Sequence, residues 1–140
     1  MSDLQAEVQR FKFWAKTRNP EDAIYFPSEW ECDYPHWNLM YAAVSKALTS
    51  ASKPTGFNDF LFALARDNEA EVILDMLIEY PAFLLTLAKS ALAYPEYDAR
   101  WQIAAALGQL KGREADSLLS QFMQDDNEYV RRRAIDAHLD

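Results

Sequence analysis

The chain has 140 residues, half of them hydrophobic and 14% aromatic, which excludes intrinsic disorder and suits one domain burying roughly 70% of its extended surface. Its 22 acidic and 14 basic residues give a net charge of −8, a field that repels phosphate backbones, so direct nucleic-acid binding is not expected. No apolar run reaches the ~20 residues that span a bilayer, and the polar N-terminus lacks a signal-peptide core, which predicts a cytoplasmic protein without a membrane role.

In chain order, Ser2 stands at an N-cap position, and Leu4, Val8 and Phe11 follow a 3.6-residue period, predicting an amphipathic helix over 3–16. Residues 19–35 carry Pro20, Pro27 and Pro35 with neither helical nor strand period, and read as a structured loop. Pro35 suits the first turn of a helix running to Ser50, which Pro54 and Gly56 then break. Phe57, Phe60, Leu61 and Leu64 mark a helix over 57–66, and Val72, Ile73, Met76, Leu77 and Tyr80 another over 69–80. Pro81 separates that helix from one over 82–93, and Pro95 ends the latter. Three more follow over about 98–110, 115–124 and 128–139. Eight helices with short connections and no strand pattern predict an all-α fold of stacked helical hairpins, an α-solenoid.

The last stretch repeats itself. With an offset of 31, Ala99 and Arg100 fall on Val130 and Arg131, Ile103 on Ala134, and Ala106 on Ala137. Arg100, Ala104, Ala106-Leu107-Gly108, the apolar set Leu118, Leu119, Phe122 and Met123, then Asp125-Asp126 and Val130-Arg131 make this segment resemble a HEAT-like helical repeat of the phycobilisome-lyase type. His138 departs from that pattern, which has Leu there. The resemblance implies a stack with extended binding surfaces. It also implies that Arg100 and Arg131 pair with acidic residues of the inter-helix turn, such as Asp125 or Asp126. The chain is then one domain over 1–140, with an N-terminal helical cap and aromatic, acidic loop over 1–56 and HEAT-like repeats over 57–140.

Charge is unevenly spread: residues 1–18 carry +2, residues 19–99 carry −9 and residues 100–140 carry −1. Within the acidic middle, Tyr25, Phe26, Trp30, Tyr34, Trp37 and Tyr41 interleave with Glu29, Glu31 and Asp33 and with no basic residue. Aromatics rimmed by charge are the composition of interface hot spots, so Glu29, Trp30, Glu31, Asp33 and Trp37 are candidate partner contacts; the same rings could instead cover the open end of the stack. Glu71, Asp75 and Glu79 recur every four residues, which predicts a second acidic face on the 69–80 helix, available to a partner or to solvent. Asp67 and Glu69 stand beside the N-terminus of that helix, where its dipole favours anions.

Cys32 and His36 lie four apart, yet neither a zinc site nor a cysteine nucleophile can be assembled with His138 as the only other histidine. Arg131, Arg132 and Arg133 point about 100° apart on a helix and form no single basic patch. No phosphate loop, dinucleotide fingerprint or zinc-protease motif occurs, so no cofactor and no catalytic residue is assigned. The expectation is a non-enzymatic, monomeric or weakly dimeric module that binds a basic protein, most concretely an immunity-type inhibitor of a bacterial toxin such as a nuclease. The alternatives are a HEAT-like adaptor that binds a peptide or helix, and a cofactor-handling protein of the bilin-lyase type.

Overall fold

The computed structural model describes residues 2–18, 33–50 and 56–139. Among these are eight helices and no strand: α1 (Asp3–Arg18), α2 (Trp37–Thr49), α3 (Phe57–Arg66), α4 (Val72–Ile78), α5 (Pro81–Ala91), α6 (Tyr97–Leu107), α7 (Arg113–Phe122) and α8 (Glu128–Leu139). The fold is all-α, as the periodicity predicts. No helix among the described residues is long and apolar enough to cross a membrane.

The helices form two layers. α1, α3, α6 and α8 pack each on the next, and α2, α4, α5 and α7 do the same on the other side. α6 sits at the centre, touching α3, α4, α5, α7 and α8, and Ala99 to Ala104, Ala106 and Leu107 are all buried. This explains why its sequence is alanine-rich rather than sharply amphipathic: with neighbours on nearly every side, small side chains let the backbones approach. Its one fully buried polar residue, Gln102, donates Nε2–H to the Leu64 carbonyl at 2.7 Å and to the Asp98 carbonyl at 2.8 Å.

α6 and α8 lie side by side in the same direction. Their starts meet through Trp101 and Tyr129, and their ends through Gly108 and Ala137. α3 instead meets α6 end to start, where Arg66 pairs with Glu96. α6 and α8, the stretch that carries the 31-residue offset, thus pack start beside start.

The close approach at the end of α6 depends on Gly108. A Cβ there would stand 2.7 Å from the Ala137 Cβ and 3.0 Å from its carbonyl oxygen. Gly108→Ala is therefore expected to cost about 1–3 kcal/mol of stability by overpacking, despite alanine's better helix propensity. Adding Ala137→Gly should recover part of that loss, since it removes the nearest atom. Thermal unfolding of the two variants checks this, and an unchanged melting temperature for Gly108→Ala would refute the packing argument.

At the other end of the molecule, Phe11 is fully buried among Trp14, Tyr34, Trp37 and Phe62, with ring centroids 4.7–5.8 Å away. Tyr34 belongs to the core, and burial, reinforced by the charge of Glu7, pushes its hydroxyl up to about 12. Tyr25, Phe26 and Trp30 lie outside the described residues.

Helix α4 is shorter than the predicted span 69–80. At its front, Glu71 has a left-handed backbone, φ 56°, which no helix interior accepts. At its back, Pro81 at the start of α5 holds Tyr80 away from helical geometry.

Candidate protein-binding edge

The α3–α4 turn is built around Asp67, which is 3% exposed. Its Oδ2 accepts the Ile73 backbone N–H at 2.8 Å, its Oδ1 accepts the Tyr41 hydroxyl at 2.6 Å, and the Val72 N–H also bonds the carboxylate. Asp67 thus caps α4 from outside the helix and ties it to α2. Burial pushes its carboxyl above the usual range, against the pull of these three hydrogen bonds, and the charge of Glu71 adds to the rise.

The adjacent Arg66 ties the same turn to α6. Its guanidinium lies 3.8 Å from the centre of the Phe62 ring, and its Nη1 is 2.6 Å from Glu96 Oε1, just before α6 begins. Asn68 donates Nδ2–H to the Ala65 carbonyl at 2.8 Å.

Beyond Asn68 the parallel starts of α6 and α8 open a groove of about 670 Å³, lined by Asn68, Tyr97, Asp98, Trp101, Asn127, Glu128 and Tyr129. Trp101, 5% exposed, meets the Tyr129 ring edge-on at 5.6 Å, while Tyr97 and Tyr129 are 44% and 39% exposed. Asp98 accepts the Trp101 indole N–H at 2.9 Å. Burial pushes the Asp98 carboxyl up, against that hydrogen bond and the charge of Arg66. Arg133 lies 4.5 Å over Trp101 and donates to the Tyr129 hydroxyl at 3.0 Å.

The groove keeps its shape because the α7–α8 turn is clamped to α6. Arg100 grips Asp125 with two hydrogen bonds, Nε to Oδ2 at 2.9 Å and Nη2 to Oδ1 at 3.1 Å, and reaches Asp126 at 3.3 Å and the Tyr94 carbonyl at 2.8 Å. Arg131 bonds the Asp125 carbonyl at 2.7 Å. Arg100 thus makes the expected ion pair; Arg131 corrects the expectation by binding backbone oxygen of the same turn, the carboxylate of Asp125 being held by Arg100. The Asn127 Oδ1 caps α8 by accepting the Tyr129 and Val130 N–H groups.

The candidate residues read from sequence fall in three places. Glu29, Trp30 and Glu31 lie outside the described residues, and Asp33 is exposed at the edge of that segment. Trp37 is half-buried, stacked on Tyr41 at 5.4 Å, and lines a cleft of about 170 Å³ with Tyr41, Arg66, Asp67, Glu69 and Ala70. The α3–α4 turn therefore borders this cleft on one side and the larger groove on the other.

Glu71, Asp75 and Glu79 do not form one helix face. Glu71 precedes α4 and Glu79 follows it, because only seven residues are helical, and Asp75 alone lies within the helix. Glu79 instead lines an apolar cleft of about 480 Å³ with Leu48, Tyr80, Pro81 and Phe83.

Tyr97, Asp98, Trp101, Glu128 and Tyr129 were not singled out by sequence reasoning. The dipeptide Glu-Tyr occurs at 79–80, 96–97 and 128–129, and its last two copies stand at the starts of α6 and α8. No known protein-family model matches this chain, and neither a curated protein nor a solved structure does.

Proposed function

We propose that this chain is a protein-binding module that masks a basic surface of a partner protein, acting as an immunity-type inhibitor of a bacterial toxin. The observation that carries the reading is the groove at the starts of α6 and α8. Exposed aromatic rings stand there beside Asp98 and Glu128, the latter in a surface pair with Arg132, on a framework locked by buried ion pairs. Aromatic anchors with a charged rim are the composition of interface hot spots, and a rigid frame lowers the ordering cost of binding. The net charge of −8 would speed encounter with a positive partner, such as an enzyme whose cleft binds a polyanion.

The test uses the immobilised full chain against a lysate of the native host. The expected result is retention of a basic protein whose association rate falls as salt rises from low to physiological. That protein, once purified, should lose its own activity on adding one equivalent of this chain. Glu128→Lys changes a side chain that is 75% exposed but gives up its surface pair with Arg132 and a favourable place at the start of α8, so stability should fall by about 1 kcal/mol. The complex should weaken about tenfold, or about 1.4 kcal/mol. Retention of neutral or acidic proteins only, an association rate indifferent to salt, or a partner that stays fully active in the complex would each overturn the reading.

A further inference from the structure

The cleft of about 480 Å³ where α4 gives way to α5 combines an apolar body with one carboxylate and with no cation among its lining residues. Leu48, Pro81, Ala82 and Phe83 supply the body. The Phe83 ring is fixed by Phe60 and Phe57, with centroids 4.8 Å and 5.9 Å away, and Pro81 locks the first turn of α5. The walls are therefore set before anything binds. The volume lies within the range of roughly 300–1,000 Å³ typical of ligand pockets, and Pro81 and Ala82 are exposed at its mouth.

Its polar groups are few. The Thr86 hydroxyl donates to the Ala82 carbonyl at 3.2 Å, which leaves the Tyr80 hydroxyl and the Glu79 carboxylate. Glu79 is exposed, and among the described residues none of the ion pairs involves it or Asp75, the exposed carboxylate four residues earlier. The stretch 67–88 carries five carboxylates and no basic residue, so nothing nearby in sequence offsets them. An apolar cleft rimmed by unpaired negative charge is complementary to a large apolar side chain flanked by Lys or Arg. An acidic segment would be repelled, and a purely apolar one would desolvate Glu79 without giving it a partner. The cleft lies at the opposite end of α4 from the α3–α4 turn that borders the groove, and a helix of 7 residues is only about 10 Å long. One partner can therefore reach both.

We propose that this cleft seats a large apolar side chain of the basic partner, with an adjacent lysine or arginine of that partner paired to Glu79. This rests on the masking function proposed above and names the segment the partner must present, an apolar residue between basic ones.

The probe is the capped tripeptide Lys-Leu-Lys, titrated into the methyl-labelled full chain and followed by NMR, with Lys-Gly-Lys and Ser-Leu-Ser for comparison. The Thr86 methyl, assigned by its loss in Thr86→Ser, reports the cleft, and the Thr17 methyl on α1 serves as internal reference. Lys-Leu-Lys should shift the Thr86 signal saturably. The comparison peptides, one without the apolar side chain and one without the charge, should each bind severalfold more weakly. Glu79→Gln should raise the dissociation constant of Lys-Leu-Lys severalfold and leave that of Ser-Leu-Ser unchanged. Ala82→Leu, which fills the cleft from an exposed position, should abolish both shifts, and Asp136→Asn, which removes one charge from α8, should change neither.

An unmoved Thr86 signal, equal binding of either comparison peptide, or equal weakening by Asp136→Asn would overturn the proposal. A Thr86 shift produced by raising the chain's own concentration, without peptide, would also overturn it, since the cleft would then seat a second copy. Glu79→Gln suffices if Ala82→Leu fails to fold, because the Glu79 side chain is exposed. The two readings fail separately. A basic partner protein bound equally by wild type, Glu79→Gln and Ala82→Leu would remove the cleft and leave the masking function. A Lys-Leu-Lys peptide seated in the cleft of a chain that retains no basic protein would do the reverse.

Discussion

Arg100→Ala is expected to cost about 3–5 kcal/mol of stability, because it leaves a buried carboxylate without its partner. The Arg100 and Asp125 side chains are only 10% and 8% exposed, and their two hydrogen bonds join α6 to the turn before α8. Removing Asp125 as well, with an apolar residue at each position, should restore much of the loss, since no charge then remains buried. Urea unfolding followed by circular dichroism at neutral pH measures both variants. A loss under about 1 kcal/mol for Arg100→Ala would mean the pair behaves like a solvent-screened surface bridge.

The same pair sets a pH dependence. Burial pushes the Asp125 carboxyl up, but the Arg100 and Asn127 hydrogen bonds and the Arg100 charge outweigh it and hold it below the usual carboxylate range. A folded-state pKa below the unfolded value of about 3.9 means this stabilisation is present above that value and lost as pH falls through the folded one. The acid-induced loss should therefore be smaller in the doubly apolar variant than in wild type.

Asp67→Ala is expected to cost about 3 kcal/mol. It strips the acceptor from the Ile73 and Val72 N–H groups and from the Tyr41 hydroxyl, and buried donors left unsatisfied cost about 1–3 kcal/mol each, not fully additively. Asp67→Asn should stay within about 1 kcal/mol of wild type. Its oxygen can accept the backbone donors while its amide donates to the Tyr41 oxygen, since a phenol oxygen both donates and accepts.

The pH sign is opposite to that of Asp125. Because burial raises the Asp67 carboxyl in the folded state, the associated stability is present below the unfolded pKa and lost as pH rises through the folded one. Asp67→Asn should accordingly abolish that part of the pH profile. Unfolding of both variants across the acid range checks this, and an Asp67→Asn profile that matches wild type would sink the assignment.

Much of the fold was legible in the sequence because helical periodicity is a local property. The Leu4, Val8 and Phe11 period, the Phe57–Leu64 period and the prolines at 35, 81 and 95 each act within a turn or two of chain. Where a distant residue set the boundary, local pattern failed. The sequence placed Asp67 beside the N-terminus of a 69–80 helix but did not show how far its carboxylate reaches: it spans the turn to Ile73, and α4 starts at Val72. The supposed acidic face of Glu71, Asp75 and Glu79 dissolved with that boundary, since a four-residue spacing makes a face only while the helix continues through all three positions.

The sequence by itself determined the eight helices and the excess of acid, carried by composition and short-range spacing, while the Arg100 pairing with the α7–α8 turn was implied by the resemblance to a HEAT-like repeat. Only the tertiary structure decided which helices stand parallel and which meet end to start. That choice assembles the groove, because it brings Tyr97, Asp98 and Trp101 beside Glu128 and Tyr129. The physical reason is that packing of Gly108 against Ala137 and the Arg100–Asp125 clamp fix the register of α6 on α8. Such contacts join residues more than two dozen positions apart, a distance over which no hydrophobic period carries information.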